Sequence, residues 1–118
     1  MPLSRARSLL RCPPLVQHAA VPFGGPAGAA VPDRVDLFRA NALRWAGGNI
    51  WRTSHNPYRP GLYSILDAVG VLCWDENRDF ARPYAEDMEA LVRRDRNHPS
   101  VVIWSAGNEV SGADCWEK

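Results

Sequence analysis

The chain has 118 residues, 46% hydrophobic and 23% charged, the composition of one globular domain and too short for two. Fourteen basic against thirteen acidic residues leave a formal net charge of +1, which removes any electrostatic case for nucleic acid or an acidic membrane surface as the partner. No apolar run approaches the roughly 20 residues of a membrane span. Three cysteines, Cys12, Cys73 and Cys115, share no C-x-x-C spacing, so neither a disulfide framework nor a zinc site is indicated.

Residues 1–30 read as a poorly ordered amino-terminal segment, with at most a short strand near Leu15–Ala20. Arg5, Arg7 and Arg11 without a nearby acid hint at a targeting segment, yet serine is sparse and no long amphipathic helix follows, so the cytoplasm is the default compartment. Gly24, Gly25 and Gly28 form no phosphate cradle, because Pro26 interrupts them and no P-loop lysine follows.

With Asp33 as N-cap, Val35, Leu37, Phe38, Leu43 and Trp45 recur at near-helical spacing until Gly47-Gly48. Ile50, Trp51 and Thr53 are β-formers in a short strand stopped by Asn56-Pro57. Pro60 to Val69 predicts a second helix closed by Gly70, and Val71 to Trp74 a strand apolar on both faces that ends in Asp75-Glu76. A third helix covers about Tyr84 to Arg96, with Arg93, Arg94 and Arg96 at its negative dipole end and Asn97 as a left-handed cap. Val101 to Trp104 is a third buried strand, broken at Gly107-Asn108-Glu109. Strand starts near 50, 71 and 101 fit successive βα units and imply a parallel sheet whose polar strand ends gather at one carboxyl edge, where α/β proteins bind ligands.

Three of those ends carry chemistry. Glu109 follows an apolar strand beside Asn108, a rim position where partial desolvation would keep a carboxyl protonated for general-acid work; the plainer alternative is a solvent-facing cap of the next element. His55 closes Arg52-Thr53-Ser54-His55 at the rim, as a ligand contact or a turn histidine. Arg52 lies within a strand and needs a carboxylate partner, for which Asp75 and Glu76 are candidates. His98, before Pro99 on the opposite side of the sheet, reads as structural. Trp51, Trp74 and Trp104 either pack the core or form a sugar platform, with core packing favoured for Trp74.

Arg-Thr-Ser-His-Asn-Pro at 52–57, Asp-Glu-Asn-Arg at 75–78, Arg-Asp-Arg-Asn-His-Pro-Ser at 94–100 and Ile-Trp-Ser-Ala-Gly-Asn-Glu at 103–109 occur in order. Together they resemble glycoside hydrolase family 2, the β-galactosidase family, over about residues 31–110. The resemblance implies a (β/α)8 TIM barrel that cleaves β-glycosides with retention, with a β-galactosidase-like activity favoured, of which residues 31–118 would be a part with about three βα units. It implies Glu109 as general acid/base, Asn108 and His55 as substrate-binding, Arg52 as support for the nucleophilic carboxylate, and Asp75 and Glu76 as supporting residues at the site's edge.

Some members bind Mg²⁺ nearby through a Glu-x-His where this sequence has Asp79-Phe80, so no metal or other cofactor is expected. The expected partner is a β-glycoside or oligosaccharide, with oligomeric state open. Asp114 and Glu117 match no nucleophile motif, so the chain is expected to carry the acid/base without the nucleophile, to leave one sheet face open, and to be inactive alone. The alternative is a non-catalytic carbohydrate-binding or assembly module using the same rim residues and Trp51.

Overall fold

A computed structural model describes residues 16–18, 31–77 and 85–109. Strand β1 (Val16–His18), helix α1 (Asp33–Trp45), β2 (Ile50–Arg52), α2 (Pro60–Val69), β3 (Leu72–Glu76), α3 (Ala85–Asp95) and β4 (Val101–Ser105) follow one another in strict alternation after the first strand. The four strands form one parallel sheet in chain order, β1-β2-β3-β4. That order is the one produced by successive βα crossovers in a barrel wall. The helices and three of the strands match the expected elements; β1 adds a fourth stave from the segment before residue 31. The glycines at 24, 25 and 28, Asp79-Phe80, Tyr84, Cys12, Cys115, Asp114 and Glu117 lie outside the described residues.

Two local expectations are corrected. Asp33 is the first helical residue of α1 and Pro32 takes the cap position, with no side-chain cap. The reason is a competing cation, since Arg59, just before α2, draws in the Asp33 carboxylate and grips the buried Asp36 through Nε at 3.1 Å. Asn97 is not left-handed; among the described residues the one non-glycine with positive φ is Glu109. Helix α2 ends as expected on Gly70 in the left-handed conformation, whose N–H returns to Leu66 O. A Cβ at Gly48 would meet Leu43 Cδ1 at 2.2 Å, so any larger residue there forces the Leu43 side chain to shift.

The two faces of the sheet differ. Trp51 and Cys73 sit side by side on the face covered by Leu62, Tyr63 and Leu66 of α2 and Ala40 and Leu43 of α1, and together they form the core. Trp51 is wholly buried there, which removes it as a sugar platform. Residues one step along each strand point to the other face. There Arg52 pairs with Trp74, its guanidinium 5.0 Å from the indole centroid, and Trp74 is only half-buried. Leu72 and Ile103 are 41% and 40% exposed, so this face is open among the described residues, as the half-built barrel wall predicted. A bulge opposite Cys73/Trp74 shifts the register so that Glu76 lies beside Ser105.

Candidate active site

Glu76, the last residue of β3, is the hub of the rim. Its side chain is fully buried, and it accepts from Arg52 Nε at 2.8 Å and Nη2 at 3.1 Å. Ser105 Oγ donates to Glu76 Oε2 at 3.2 Å, and His55 Nδ1 lies 3.1 Å from Oε1. Arg52 Nη2 also donates to Asn108 Oδ1 at 2.8 Å. A buried carboxylate without a cation is strongly unfavourable, and the fork of a guanidinium meets both of its oxygens at once. Of the two candidate partners for Arg52, Glu76 is the one used.

Asp75 points the opposite way, as strand alternation requires, and is equally buried. Its Oδ1 accepts from Tyr63 Oη at 2.7 Å and from Thr53 Oγ1 at 3.2 Å. Burial, reinforced by the neighbouring Asp95 carboxyl, pushes Asp75 up to about 7 against the pull of the two hydroxyls. Arg94 neutralises Asp95, with Nε 2.8 Å from its Oδ1, and its Nη2 donates to Tyr63 Oη at 3.1 Å. Burial likewise raises the Tyr63 phenol and the Cys73 thiol, which both stay protonated.

The loop after β4 carries the two remaining residues. Asn108 is half-buried and held by Arg52, whereas Glu109 is exposed, contrary to the desolvated position expected for it. Glu109 has φ +56, a conformation that costs a non-glycine residue roughly 1–3 kcal/mol and is concentrated at functional sites. The structure therefore brings together Arg52, His55, Glu76 and Asn108, with Glu109 next in the chain, and places Asp75 behind the sheet. His98 is structural as expected, paired with Asp67, which also accepts Ser100 N–H at 2.9 Å.

Sequence reasoning missed Ser105, Thr53, Tyr63, Arg94 and Asp95 as members of these networks. One signal was present for Asp95: it stands four residues after the buried Leu91, on the inward face of α3. Among the described residues no three His, Cys, Asp or Glu side chains form a cation site, and no helix is long and apolar enough to cross a membrane.

Residues 75–117 match the family described as glycosyl hydrolases family 2, TIM barrel domain. The chain is 42% identical to mouse (Mus musculus) beta-glucuronidase over 85 residues, which is 62% of this chain and 13% of that protein. Its fold resembles a crystal structure of a beta-glycosidase from Bacteroides vulgatus, with a TM-score of 0.70 and 34% identity over 84% of this chain and 14% of that one. It also resembles Bifidobacterium dentium beta-glucuronidase complexed with coumarin-3-O-glucuronide, with a TM-score of 0.69 and 25% identity over 76% of this chain and 16% of that one. The chain thus spans about an eighth of the length of the mouse relative (13%).

Proposed function

The chain carries part of a glycosyl hydrolase family 2 TIM barrel, and from that premise we propose that it supplies the acid/base side of a retaining β-glycosidase whose substrates are β-glucuronides. The substrate class follows the mouse relative and the Bifidobacterium dentium structure, both named beta-glucuronidases. The observation that carries the reading is the Arg52–Glu76–Asn108 network at the carboxyl ends of β2, β3 and β4, which holds Asn108 next to Glu109. In a parallel barrel that edge is where substrates sit.

Glu109 protonates the departing glycosidic oxygen and then takes a proton from the attacking water. With Oδ1 of Asn108 engaged by Arg52, its amide NH₂ is the end presented to a sugar hydroxyl. His55, fixed at Glu76, lines the same edge. Retention needs a second carboxylate about 5–5.5 Å from the acid. Glu76 has no solvent access, so we take the nucleophile to come from outside the described residues, and these residues by themselves are expected to turn over no β-glycoside.

The test is hydrolysis of p-nitrophenyl β-D-glucuronide by the native protein. Glu109→Gln should lower kcat by about 10³-fold, within the range of a lost general acid/base. Unchanged turnover, or hydrolysis only of other β-glycosides, would overturn the acid/base assignment or the glucuronide assignment respectively.

A further inference from the structure

We propose that Asp75 is a positioning residue for the rim site: from the helix-covered face of β3, acting through Thr53, it fixes the backbone from which Glu76 holds Arg52 and His55 and, through Arg52, Asn108. The connection is continuous and buried. Glu76 N–H donates to Thr53 Oγ1 at 2.8 Å, so the hydroxyl must send its own hydrogen elsewhere. That hydrogen is directed to Asp75 Oδ1 at 3.2 Å, in preference to Trp74 O at 3.5 Å. Tyr63 Oη donates to the same Oδ1 at 2.7 Å, and Tyr63 is itself held by Tyr58 N–H and Arg94 Nη2, both at 3.1 Å. Thr53, Asp75 and Glu76 have no solvent access, so water offers no substitute partner.

The arrangement answers a local problem at the end of β3. The Glu76 N–H has a hydroxyl oxygen as its acceptor in place of a carbonyl. A hydroxyl can rotate, and an acceptor that draws its hydrogen away from Glu76 favours the rotamer that presents a lone pair to Glu76 N–H. Asp75 Oδ1 is that acceptor. Displacing the Glu76 backbone moves its carboxylate, and with it Arg52 and the Asn108 that Arg52 holds, 56 residues away in sequence. Asp95 and Arg94 on α3 and Tyr63 on α2 are the charged and titratable groups facing Asp75 across the layer, beside Cys73 on its own strand.

Three variants of the native protein separate positioning from simple packing. Asp75→Asn keeps the Oδ1 acceptor, Asp75→Leu keeps the branched shape but removes the acceptor, and Thr53→Val deletes the hydroxyl at nearly constant volume. The kinetic arm rests on the glycosidase reading above. There Asp75→Leu and Thr53→Val should lower kcat about 10- to 100-fold with KM changed less than about 3-fold, the effect of misplaced groups, while Asp75→Asn stays within about 3-fold of the parent. Equal losses in Asp75→Asn and Asp75→Leu, or full kcat in a folded Thr53→Val protein, overturn the proposal.

A crystal structure of Thr53→Val reads the inference without any turnover. The Arg52–Asn108 contact should open beyond about 3.5 Å, the limit of a hydrogen bond. An unchanged contact overturns it, even where Asp75→Leu fails to fold or the native protein hydrolyses no β-glycoside.

Discussion

Asp75 and Glu76 are neighbours in sequence, both carboxylic acids and both fully buried, yet they live in opposite chemistry. Glu76 turns to the open face and meets a guanidinium fork, an imidazole and a hydroxyl. Asp75 turns to the helix-covered face and meets two hydroxyls and another carboxyl, which together with burial pushes it up to about 7. Strand alternation decides which partners each of the two buried carboxyls meets.

The comparison predicts its largest effect at the charged hub. Arg52→Leu leaves Glu76 buried without its cation and should cost about 3–5 kcal/mol of stability, read from urea or thermal melts. Arg52→Leu combined with Glu76→Leu should recover most of that loss, since an apolar pair fills the same space without a stranded charge. If the single substitution costs less than about 1 kcal/mol, the hub is better solvated than its burial indicates.

A smaller effect separates the second carboxyl by pH. Because Asp75 is higher in the folded protein than its ordinary value of 3.8, the folded state holds an extra proton from about pH 4 to about pH 7. Its contribution to stability is present below that window and is lost as pH rises through it. Asp75→Asn keeps the neutral hydrogen-bonding shape and no longer titrates. The melting temperature of Asp75→Asn relative to the parent should therefore rise between about pH 5 and about pH 8. A difference independent of pH would place an ordinary, ionised carboxylate at this position.

The smallest effect belongs to neither face. Arg93 and Glu89 form an exposed pair one turn apart on α3, and Arg93→Ala should change stability by less than about 0.5 kcal/mol. A larger loss in the same melts would show that solvent-facing charge matters more here than the contrast between the two faces allows.

Much of this arrangement was legible along the chain. The β-formers Ile50, Trp51 and Thr53, the apolar runs at 71–74 and 101–104 and the helical spacing between them defined the strands, and their polar ends pointed to one rim. The strand at Val16–His18 was the weakest of these signals, three residues in a Gly- and Pro-rich stretch, and it is held by pairing with β2. The need of Arg52 for an acid was also legible, because an arginine inside a strand cannot remain unpaired. The choice of Glu76 was not, since Asp75 and Glu76 differ only in which face they take. Trp51 and Trp74 illustrate the same limit: both are strand tryptophans, and only the covering helices make Trp51 core and leave Trp74 half-buried beneath Arg52.

By itself the sequence determined the alternation of strands and helices, the carboxyl-edge residues Arg52, His55, Asn108 and Glu109, and the membership of those residues in one motif series. Local spacing and turn chemistry suffice for that, because they act over a few residues. Only the tertiary structure decided which face of each strand the helices cover, and so which of two adjacent carboxyls meets Arg52. It also decided the recruitment of Tyr63, Arg94 and Asp95 behind the sheet. Those are contacts between residues 12 to 56 positions apart, set by strand register and the packing of helices on one side, and no local pattern encodes them.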